Sequence, residues 1–501
     1  MTPASIGLVR HLLEKNPHFK VTDLVHEKKR QVRGDRRIRI GKELQGTSTY
    51  AWRRNEANKL MDFGDVVPAN LPSEDVARKA KQEAQDKELG VFKVKAVLAS
   101  VWDIKYGQEF NGCIYEIGLD HFYVMYWSPT QLFLYKKFQR EDNIGSISID
   151  ATGGMIKQIP KPDGSKQIVY LYQAICGYRK KILPLFQLIS EKHDTNTLTY
   201  WMREWLRSGG SVPKQVVIDY SLALLNATSL AFNNTDLKTY IENCIVLDNS
   251  SSSMRIQRPR CLIRIDIAHL IKLVTRWSCF KYESSEKKDF YLRCVGLLST
   301  CTKIDEFIEI CTDVLSVAFS TYEDIDDKKS HCFAAQNRIM NRIKFYHLPD
   351  DTLKNPENDD PNLLEHCDDF DEILLSSNAL DAIMQKIESD STVNLKQGRL
   401  NPYHCPDFGS RLFKLSKQFV LWTAVMTYSD EQNSTLVELE NKLVASSTRS
   451  EEYFRELKHL VFKKGKAIRV DKYLIIHLRS LIGTTKLLNA PEKKFRKIIS
   501  H

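Results

Sequence analysis

The sequence holds eleven cysteines among 501 residues, yet no two of them form a CxxC pair. That dispersion excludes a zinc ribbon or finger and argues against a disulfide scaffold, so a reducing compartment is expected. No run of about 18 apolar residues occurs, so no membrane span is expected. The first residues, MTPASIGLVRHLLEKNPHFK, lack a long apolar core after their charges and do not read as a secretory signal. There is no internal repeat of solenoid or propeller length. Hydrophobic residues at 42% and charged residues at 27% exclude a largely disordered, collagen-like or coiled-coil chain. The length suffices for about three domains with a sizeable core.

Charge is present in excess of one sign, and unevenly. Lys and Arg outnumber Asp and Glu by 73 to 63. Residues 1–60 carry 14 basic and 6 acidic side chains, and residues 451–501 carry 13 and 5. Residues 345–392 carry 2 and 13, an acidic interior between two basic ends. Basic ends suit a polyanion, because each Lys or Arg beside a phosphate releases condensed counterions. A solvated helix face is the ordinary alternative for any one run. The stretch KKRQVRGDRRIR (Lys28–Arg39) also resembles a nuclear import signal, which predicts a nuclear protein.

Periodicity divides the chain. Residues 5–60 read as basic helices, with a short one near Arg36–Leu44 and another in TSTYAWRRNEANKLMDFG, capped by Thr47, Ser48 or Thr49 and stopped at Gly64. A polar helix over Ser73–Leu89 follows a Pro-containing linker. Residues 91–138 are rich in Val, Ile, Phe and Tyr and read as strands or a buried mixed layer. Strand-like runs are GSISIDAT (145–152), QIVYLYQAICGY (167–178) and ILPLFQLISE (182–191), with Asp163-Gly164 a hairpin signal between the first two. The helix TNTLTYWMREWLRSGG, the strand QVVIDYS (215–221), a short apolar helix and the strand CLIRIDIAH (261–269) come next. Three hairpin-joined strands followed by helix, strand, helix, strand is the order of an RNase H-like α/β fold. From about 270 to 445 the chain reads helical around an acidic loop, and 450–485 is again helical, with Phe454, Leu457 and Val461 on one stripe.

Two aspartates stand out by position. Asp150 lies in the first of these strands before Ala151-Thr152-Gly153-Gly154, and Asp219 ends the fourth after Val216, Val217 and Ile218. In such a sheet the first and fourth strands are neighbours, so both carboxylates can face one side. Paired carboxylates beside small residues are what a Mg²⁺ site needs, and two metals there could activate an attacking oxygen and stabilise the leaving one. Taken singly, each is an ordinary strand-end aspartate capping a loop. A third acid has to come from a helix packed across the sheet. Glu451 is the choice, with Glu452 an alternative one position away; Arg455 and Lys458 lie on the face of Glu451 and can hold a phosphate, while a surface Glu451–Arg455 salt bridge is the plainer reading. Asp266 and His269, three apart after the fifth strand, are accessory candidates that could orient the site or contact DNA; taken alone, His269 reads more simply as a satisfied structural histidine. Three His-Cys dipeptides fit no common zinc spacing. Trp201 and Trp205 are either helical core or a base-stacking surface, core being the simpler reading.

Four blocks resemble the Mutator-like element (MULE-type) transposases of the DDE class in their animal transposon form. SIDATGG resembles the first-aspartate block and VVIDYSLALLNATSLAF the second. RIDIAHLIKLV resembles the C/DxxH block, with Asp where many members have Cys. RSEEYFRELKHLVFKKGKAIRVDKYLIIHLRSLIG resembles the glutamate block. The resemblance covers roughly residues 100–485. It implies an RNase H-like catalytic core interrupted by an α-helical insertion, with Asp150, Asp219 and Glu451 as catalytic metal ligands for Mg²⁺ or Mn²⁺, and Asp266 and His269 as the accessory pair. It also implies cleavage and strand transfer at transposon ends, double-stranded DNA (ends and target) as partner, and a homo-oligomer. No N-terminal zinc finger is seen.

The domain expectation is 1–95 as a basic helical module for DNA binding or multimerisation and 96–269 as the first part of the core. Residues 270–445 form the insertion, and 446–501 hold the glutamate helix and a basic tail. DNA contacts are expected from Arg33, Arg36, Arg37, Arg39, Arg53, Arg54, Arg455 and Lys458. The rival readings are a domesticated, non-cutting nuclear DNA-binding protein, an interaction protein whose acidic segment docks a basic partner, and a hAT-type element.

Overall fold

A computed structural model describes residues 32–490, apart from 66, 69, 92–95, 142–144, 161–163, 179–180, 250–257, 324–330, 344–377, 392–397, 431–444 and 463–466. The first basic helix, the acidic loop, Asp163 and the extreme basic tail therefore lie outside the described residues. The chain forms two compact units. One runs up to Ile104 and includes Val470–Ile475; the other comprises Lys105–Arg469 and the residues from Ile476 onward.

In the first unit, helices α1 (Gly34–Glu43), α2 (Thr49–Leu60) and α3 (Glu74–Glu88) enclose a small core of Val32, Ile40, Leu44, Trp52, Ala77 and Ala80. Ser48 caps α2 by accepting a hydrogen bond from Ala51 N–H at 3.1 Å. Small residues set the spacing of α1 on α3: a Cβ at Gly41 would lie 2.6 Å from the Ala80 carbonyl oxygen and 2.9 Å from Ala84 Cβ. Arg37 clamps the pair by a two-pronged bond to Glu83, 2.6 and 3.2 Å.

The second unit is built on a seven-stranded mixed sheet. Its strands are β1 (Ile114–Gly118), β2 (Tyr123–Tyr126), β3 (Ser146–Thr152), β4 (Tyr170–Tyr178), β5 (Lys181–Ser190), β6 (Gln215–Ile218) and β7 (Leu262–Ile265). Their order across the sheet is β1-β2-β5-β4-β3-β6-β7. The segment 91–138, read from sequence as strands or a mixed layer, splits into β1, β2 and the helix α4 (Pro129–Glu141). β3, β4 and β5 pair antiparallel, as hairpin connections require. β6 then joins β3 in parallel, and β7 joins β6 in parallel. Helical segments make both crossovers: α5 (Thr195–Arg207) enters β6, while α6 (Leu222–Thr228) and α7 (Leu237–Asn249) lead to β7. β5 carries Pro184, which has no N–H for the ladder. The register slips beside it, between Ala174 and Ile175 of β4.

The apolar stripe of α5 closes one face. Trp201 and Trp205 are fully buried, and Phe186 from β5 lies against both, with ring centroids 4.8 and 4.3 Å away. These tryptophans are core rather than a base-stacking surface. Asp194 caps the helix by accepting from Thr197 N–H at 2.9 Å, and Gly209, with φ +100°, turns the chain out of it.

After β7 come helices α8 (Ile267–Thr275), α9 (Ser285–Ser299), α10 (Ile304–Phe319), α11 (His331–Ile343), α12 (Asn378–Ser391) and α13 (Pro406–Ser416). A two-residue pairing, β8 (Tyr322–Glu323) with β9 (Arg399–Leu400), interrupts them. The chain then returns to the sheet through α14 (Thr448–Glu456), a π-helical turn over Leu457–Val461, and α15 (Val470–Asn489), whose part from Ile476 belongs to this unit. The single helical stretch read over 450–485 is thus broken, and Ile468 bridges in parallel to Ile156 within the break. Among the described residues no helix is long and apolar enough to cross a membrane.

Replacing Trp201 by Ala should cost about 3–5 kcal/mol, the usual range for an emptied aromatic core site. A urea unfolding curve shifted by much less than this would mean that the Phe186 contacts do not hold α5 to the sheet.

Candidate active site

The register of three parallel strands aligns three acids. Ile149 of β3 lies opposite Ile218 of β6, and Ile218 lies opposite Ile265 of β7. The next residue on each strand is an aspartate: Asp150, Asp219 and Asp266. Asp266 N–H continues the ladder by donating to the Ile218 carbonyl at 2.8 Å. Three like charges therefore end up side by side at one edge of the sheet, and two of them, Asp150 and Asp266, are buried at 7% and 1% exposure.

Their positive neighbour is His269, one turn into α8. Asp266 is the N-cap of that helix and accepts from His269 N–H at 2.9 Å. The imidazole Nδ1 lies 3.1 Å from Asp219 Oδ1 and 3.3 Å from Asp266 Oδ1. These are ion-pair separations without hydrogen-bond alignment: both His269 Nδ1 and Asp219 Oδ1 are buried with no directed hydrogen bond. Burial works against the imidazolium, but Asp219, Asp266 and Asp150 outweigh it and raise His269 to about 10. Burial likewise pushes against the Asp266 carboxylate, yet the adjacent His269 imidazolium and the backbone N–H groups of His269 and Ser447 bring it down to about 2. Asp219 is raised well above the ordinary carboxylate range, first by burial and then by the adjacent Asp150. Asp150 is raised by burial, against the pull of His269 and of the Ala151 N–H, which donates to it at 2.6 Å.

Glu451 arrives from the first turn of α14, which packs on β3 and β4. Its Oε1 lies 3.6 Å from His269 Nε2 and 3.8 Å from Lys272 Nζ, with half the side chain exposed. Glu451, and not Glu452, is the glutamate that reaches these groups. The placement follows from the loop before the helix. Ile267 N–H donates to the Ala445 carbonyl at 3.1 Å, and Ser447 N–H donates to the second carboxylate oxygen of Asp266. Asp266 thus caps α8 with one oxygen and holds the entry to α14 with the other. On the far side Arg449 lies on β4 so closely that a Cβ at Gly177 would meet its guanidinium at 2.0 Å. Phe454 and Leu457 are buried under the helix, while Arg455 and Lys458 are exposed.

Beneath α14 is a polar chain that sequence reading missed. His477 accepts or donates on both ring nitrogens, to the Tyr126 hydroxyl at 2.8 Å and the Tyr453 hydroxyl at 3.1 Å, and is fully buried. The signal was a lone His in the apolar run YLIIHLRSLI. Gln173, opposite Asp150 on β4, was missed as well.

The donor set fits a hard cation in kind. Asp150, Asp219 and Glu451 offer carboxylate oxygens, and Asp219 Oδ1 has a buried lone pair to spare. In count the set is not closed. Among the described residues no group of three His, Cys, Asp or Glu side chains is arranged to hold a metal ion. His269 stands among the acids as their counter-charge.

No protein-family model matches the chain. It is 36% identical over 474 residues to the 120.7 kDa protein in the NOF-FB transposable element of Drosophila melanogaster, which takes in 94% of this chain and 43% of that protein. The chain resembles a transposable-element protein. It spans less than half of that relative's length. Among solved structures, the Drosophila P element transposase strand transfer complex aligns over 95% of this chain and 98% of its own, with 10% identity and a TM-score of 0.28. A likeness that slight carries no argument.

The basic residues read from sequence in the first unit are in differing states. Arg33, Arg39 and Arg54 are exposed, Arg39 lying 3.8 Å from Glu43 and Arg54 over the Tyr50 ring. Arg36 donates to the Asn70 carbonyl, Arg37 is committed to Glu83, and Arg53 is half-buried.

Burial lowers His477 from an ordinary 6.5 to about 3. The unfolded chain therefore binds the extra proton as pH falls below about 6.5, so stability drops through the window from about 6.5 to about 3. Chemical denaturation of wild type and His477→Gln across pH 4–7 should show the wild type losing up to about 1.4 kcal/mol per pH unit more than the variant. Parallel pH profiles would mean the imidazole is not held neutral.

Proposed function

We propose that this chain is the catalytic portion of a transposase that cuts and rejoins DNA with divalent metal. The observation that carries the reading is the alignment of Asp150, Asp219 and Asp266 on adjoining parallel strands, with Glu451 brought against them from a helix far along the chain. The strand order β5-β4-β3-β6-β7, an antiparallel meander continued by two parallel strands, supports an RNase H-like core. The helices from α8 to α13, between the second aspartate and Glu451, support an inserted helical layer. The relative's place in a transposable element supports the substrate class. The MULE-type motif order argues for that branch, and with it for nuclear location, a homo-oligomer and double-stranded DNA as partner.

Asp150 and Asp219 would hold Mg²⁺ or Mn²⁺, with Glu451 as the third ligand. When bound, such ions neutralise the scissile phosphate and lower the pKa of an attacking water. The protein's share is positioning. β3 and β6 fix the aspartates, Asp266 orients His269 and the start of α14, and Lys272 with the exposed Arg455 and Lys458 offers positive charge to the DNA backbone. Asp219 Oδ1, buried and without a directed hydrogen bond, is the acceptor most ready for a cation. His269 would then either yield its place to the ion or pair with the phosphate.

A second reading is a transposon-derived protein that binds DNA without cutting it. It draws on His269, which already balances the acids as an imidazolium. Calorimetry with Mn²⁺ separates the two. Cutting requires binding that falls by more than roughly a hundredfold in Asp150→Asn and Asp219→Asn. Nicking of element-end DNA should fall at least as far in those variants and in Glu451→Gln, and stay within about twofold in Glu452→Gln. No Mn²⁺ binding to the wild type, or nicking equal in wild type and Asp219→Asn, would leave only the second reading.

If the first unit contacts DNA through its exposed arginines, Arg33→Ala, Arg39→Ala and Arg54→Ala should each weaken binding and reduce the salt slope by about one. Arg37→Ala should instead lower the stability of the three-helix packing. Unchanged salt slopes in all three exposed variants would move the DNA contact elsewhere.

A further inference from the structure

Asp219 is held differently from the other two strand-end aspartates. Asp150 accepts from the Ala151 N–H, and Asp266 accepts from the N–H groups of His269 and Ser447. Asp219 Oδ1 has no directed hydrogen bond, and β6 ends one residue earlier, at Ile218. Its place depends on the backbone to either side. Upstream, the Ile218 carbonyl receives the Asp266 N–H at 2.8 Å. Downstream, the Ser221 N–H donates back to the Asp219 carbonyl at 2.7 Å and closes a tight turn.

Ser221 is gripped twice. As the N-cap of α6 its Oγ accepts from the Leu224 N–H at 3.4 Å, and His193 Nε2 lies 3.1 Å from the same oxygen. The other ring nitrogen, Nδ1, meets the Tyr172 hydroxyl at 2.5 Å, and the two rings stack with centroids 5.8 Å and planes 13° apart. Tyr172 belongs to β4 and is fully buried, while His193 and Ser221 are half-buried. His193 sits in the loop between β5 and α5, which is fixed on both sides: the Lys192 N–H donates to Ser190 Oγ at 2.9 Å, and Asp194 caps α5. A line of contacts therefore runs from β4 through His193 and Ser221 to the backbone of Asp219. Capping α6 needs only the bond from Leu224 to the serine. The imidazole bond is additional, and it fixes the turn rather than the helix.

We propose that His193 and Ser221 are positioning residues for Asp219. They hold the turn after β6 so that the Asp219 carboxylate keeps its line with Asp150 and can meet a cation. The inference rests on the metal reading above and adds to it the contact that sets the geometry of its second ligand. With both ring nitrogens engaged, His193 supplies position and not a donor atom. Contacts one step removed from a ligand govern how well that ligand meets its ion, because they fix its orientation before binding.

Substitution can divide the two halves of the imidazole. His193→Asn keeps a polar atom near Nδ1 for Tyr172 and loses the reach to Ser221; His193→Gln keeps one near Nε2 for Ser221 and gives up Tyr172. Mn²⁺ calorimetry and urea unfolding of the full-length chain read both consequences. His193→Asn should weaken Mn²⁺ binding by about tenfold or more at the wild-type urea midpoint. His193→Gln should bind Mn²⁺ within about threefold of wild type yet unfold at lower urea, since the buried Tyr172 hydroxyl is left unpaired. Ser221→Ala should match His193→Asn in affinity, and the two together should add little, as expected for two ends of one contact. A histidine with a purely structural role predicts the opposite order, with affinity following stability and worst in His193→Gln. That order, or binding unchanged in both His193→Asn and Ser221→Ala while Asp219→Asn loses it, overturns this proposal and leaves the metal reading standing. No Mn²⁺ binding to the wild type overturns both. Ser221→Ala removes only one cap from a half-buried site, so it keeps the contact open to measurement should a change at His193 prevent folding.

Discussion

Like charge brought together by strand register is the constraint on which this molecule turns. Parallel pairing of β3, β6 and β7 advances three chains in step, so an aspartate one residue past matching isoleucines on each strand must lie beside its counterparts. Putting three carboxylates at a buried edge is costly unless they are hydrogen-bonded, protonated or paired with positive charge. The fold uses all three remedies. Asp266 is satisfied by backbone N–H groups, Asp219 is pushed toward its neutral form, and His269 is held positive between them. An arrangement with this much opposed charge is expensive as mere architecture, and it is the kind of place where a cation or a phosphate changes the balance.

Asp266 joins the parts of the site more than any other residue. One carboxylate oxygen caps α8 and the other receives the Ser447 N–H, so the strand end, the histidine helix and the approach to the glutamate helix share one side chain. The entry to α14 is thus tied to the start of α8 twice, by the Ser447 N–H on Asp266 and by the Ile267 N–H on the Ala445 carbonyl. Below α14, the buried chain from Tyr126 through His477 to Tyr453 fills the space against the sheet with satisfied polar groups. Arg449, seated over Gly177, leaves no room there for a β-carbon. The helix bearing Glu451 is thus located from two sides, by its entry loop and by the layer beneath it.

Within the helical layer, the turn after α8 is held to the head of α13 by packing of Phe408 against Trp277 and Phe280 and by side-chain bonds from Lys287 to the His404 carbonyl and from Arg411 to the Ser278 hydroxyl. Ten cysteines are described and all are free, in keeping with the scattered spacing of the sequence. Spacing of that kind speaks against a scaffold of disulfides.

Local patterns fixed the element types: alternating and continuous apolar runs for β3 to β7, the Asp194 cap and paired glycines around α5, and the Ser48 cap of α2. These are short-range effects of side-chain period and backbone chemistry, so they can be read residue by residue. The nomination of Asp150, Asp219 and Glu451 came from position at strand ends and from motif order. Their convergence, the approach of Glu451 to His269 and Lys272, and the presence of His269 among the acids depend on pairing register and on the Asp266–Ser447 contact, which spans 181 positions. The same holds for Arg37, read as a DNA contact but folded onto Glu83, and for His477, whose meaning depends on two tyrosines from distant strands and helices. Sequence specifies which groups exist and what segments they ride on; long-range packing decides which charges must face each other, because that energy depends on distances the linear order does not contain.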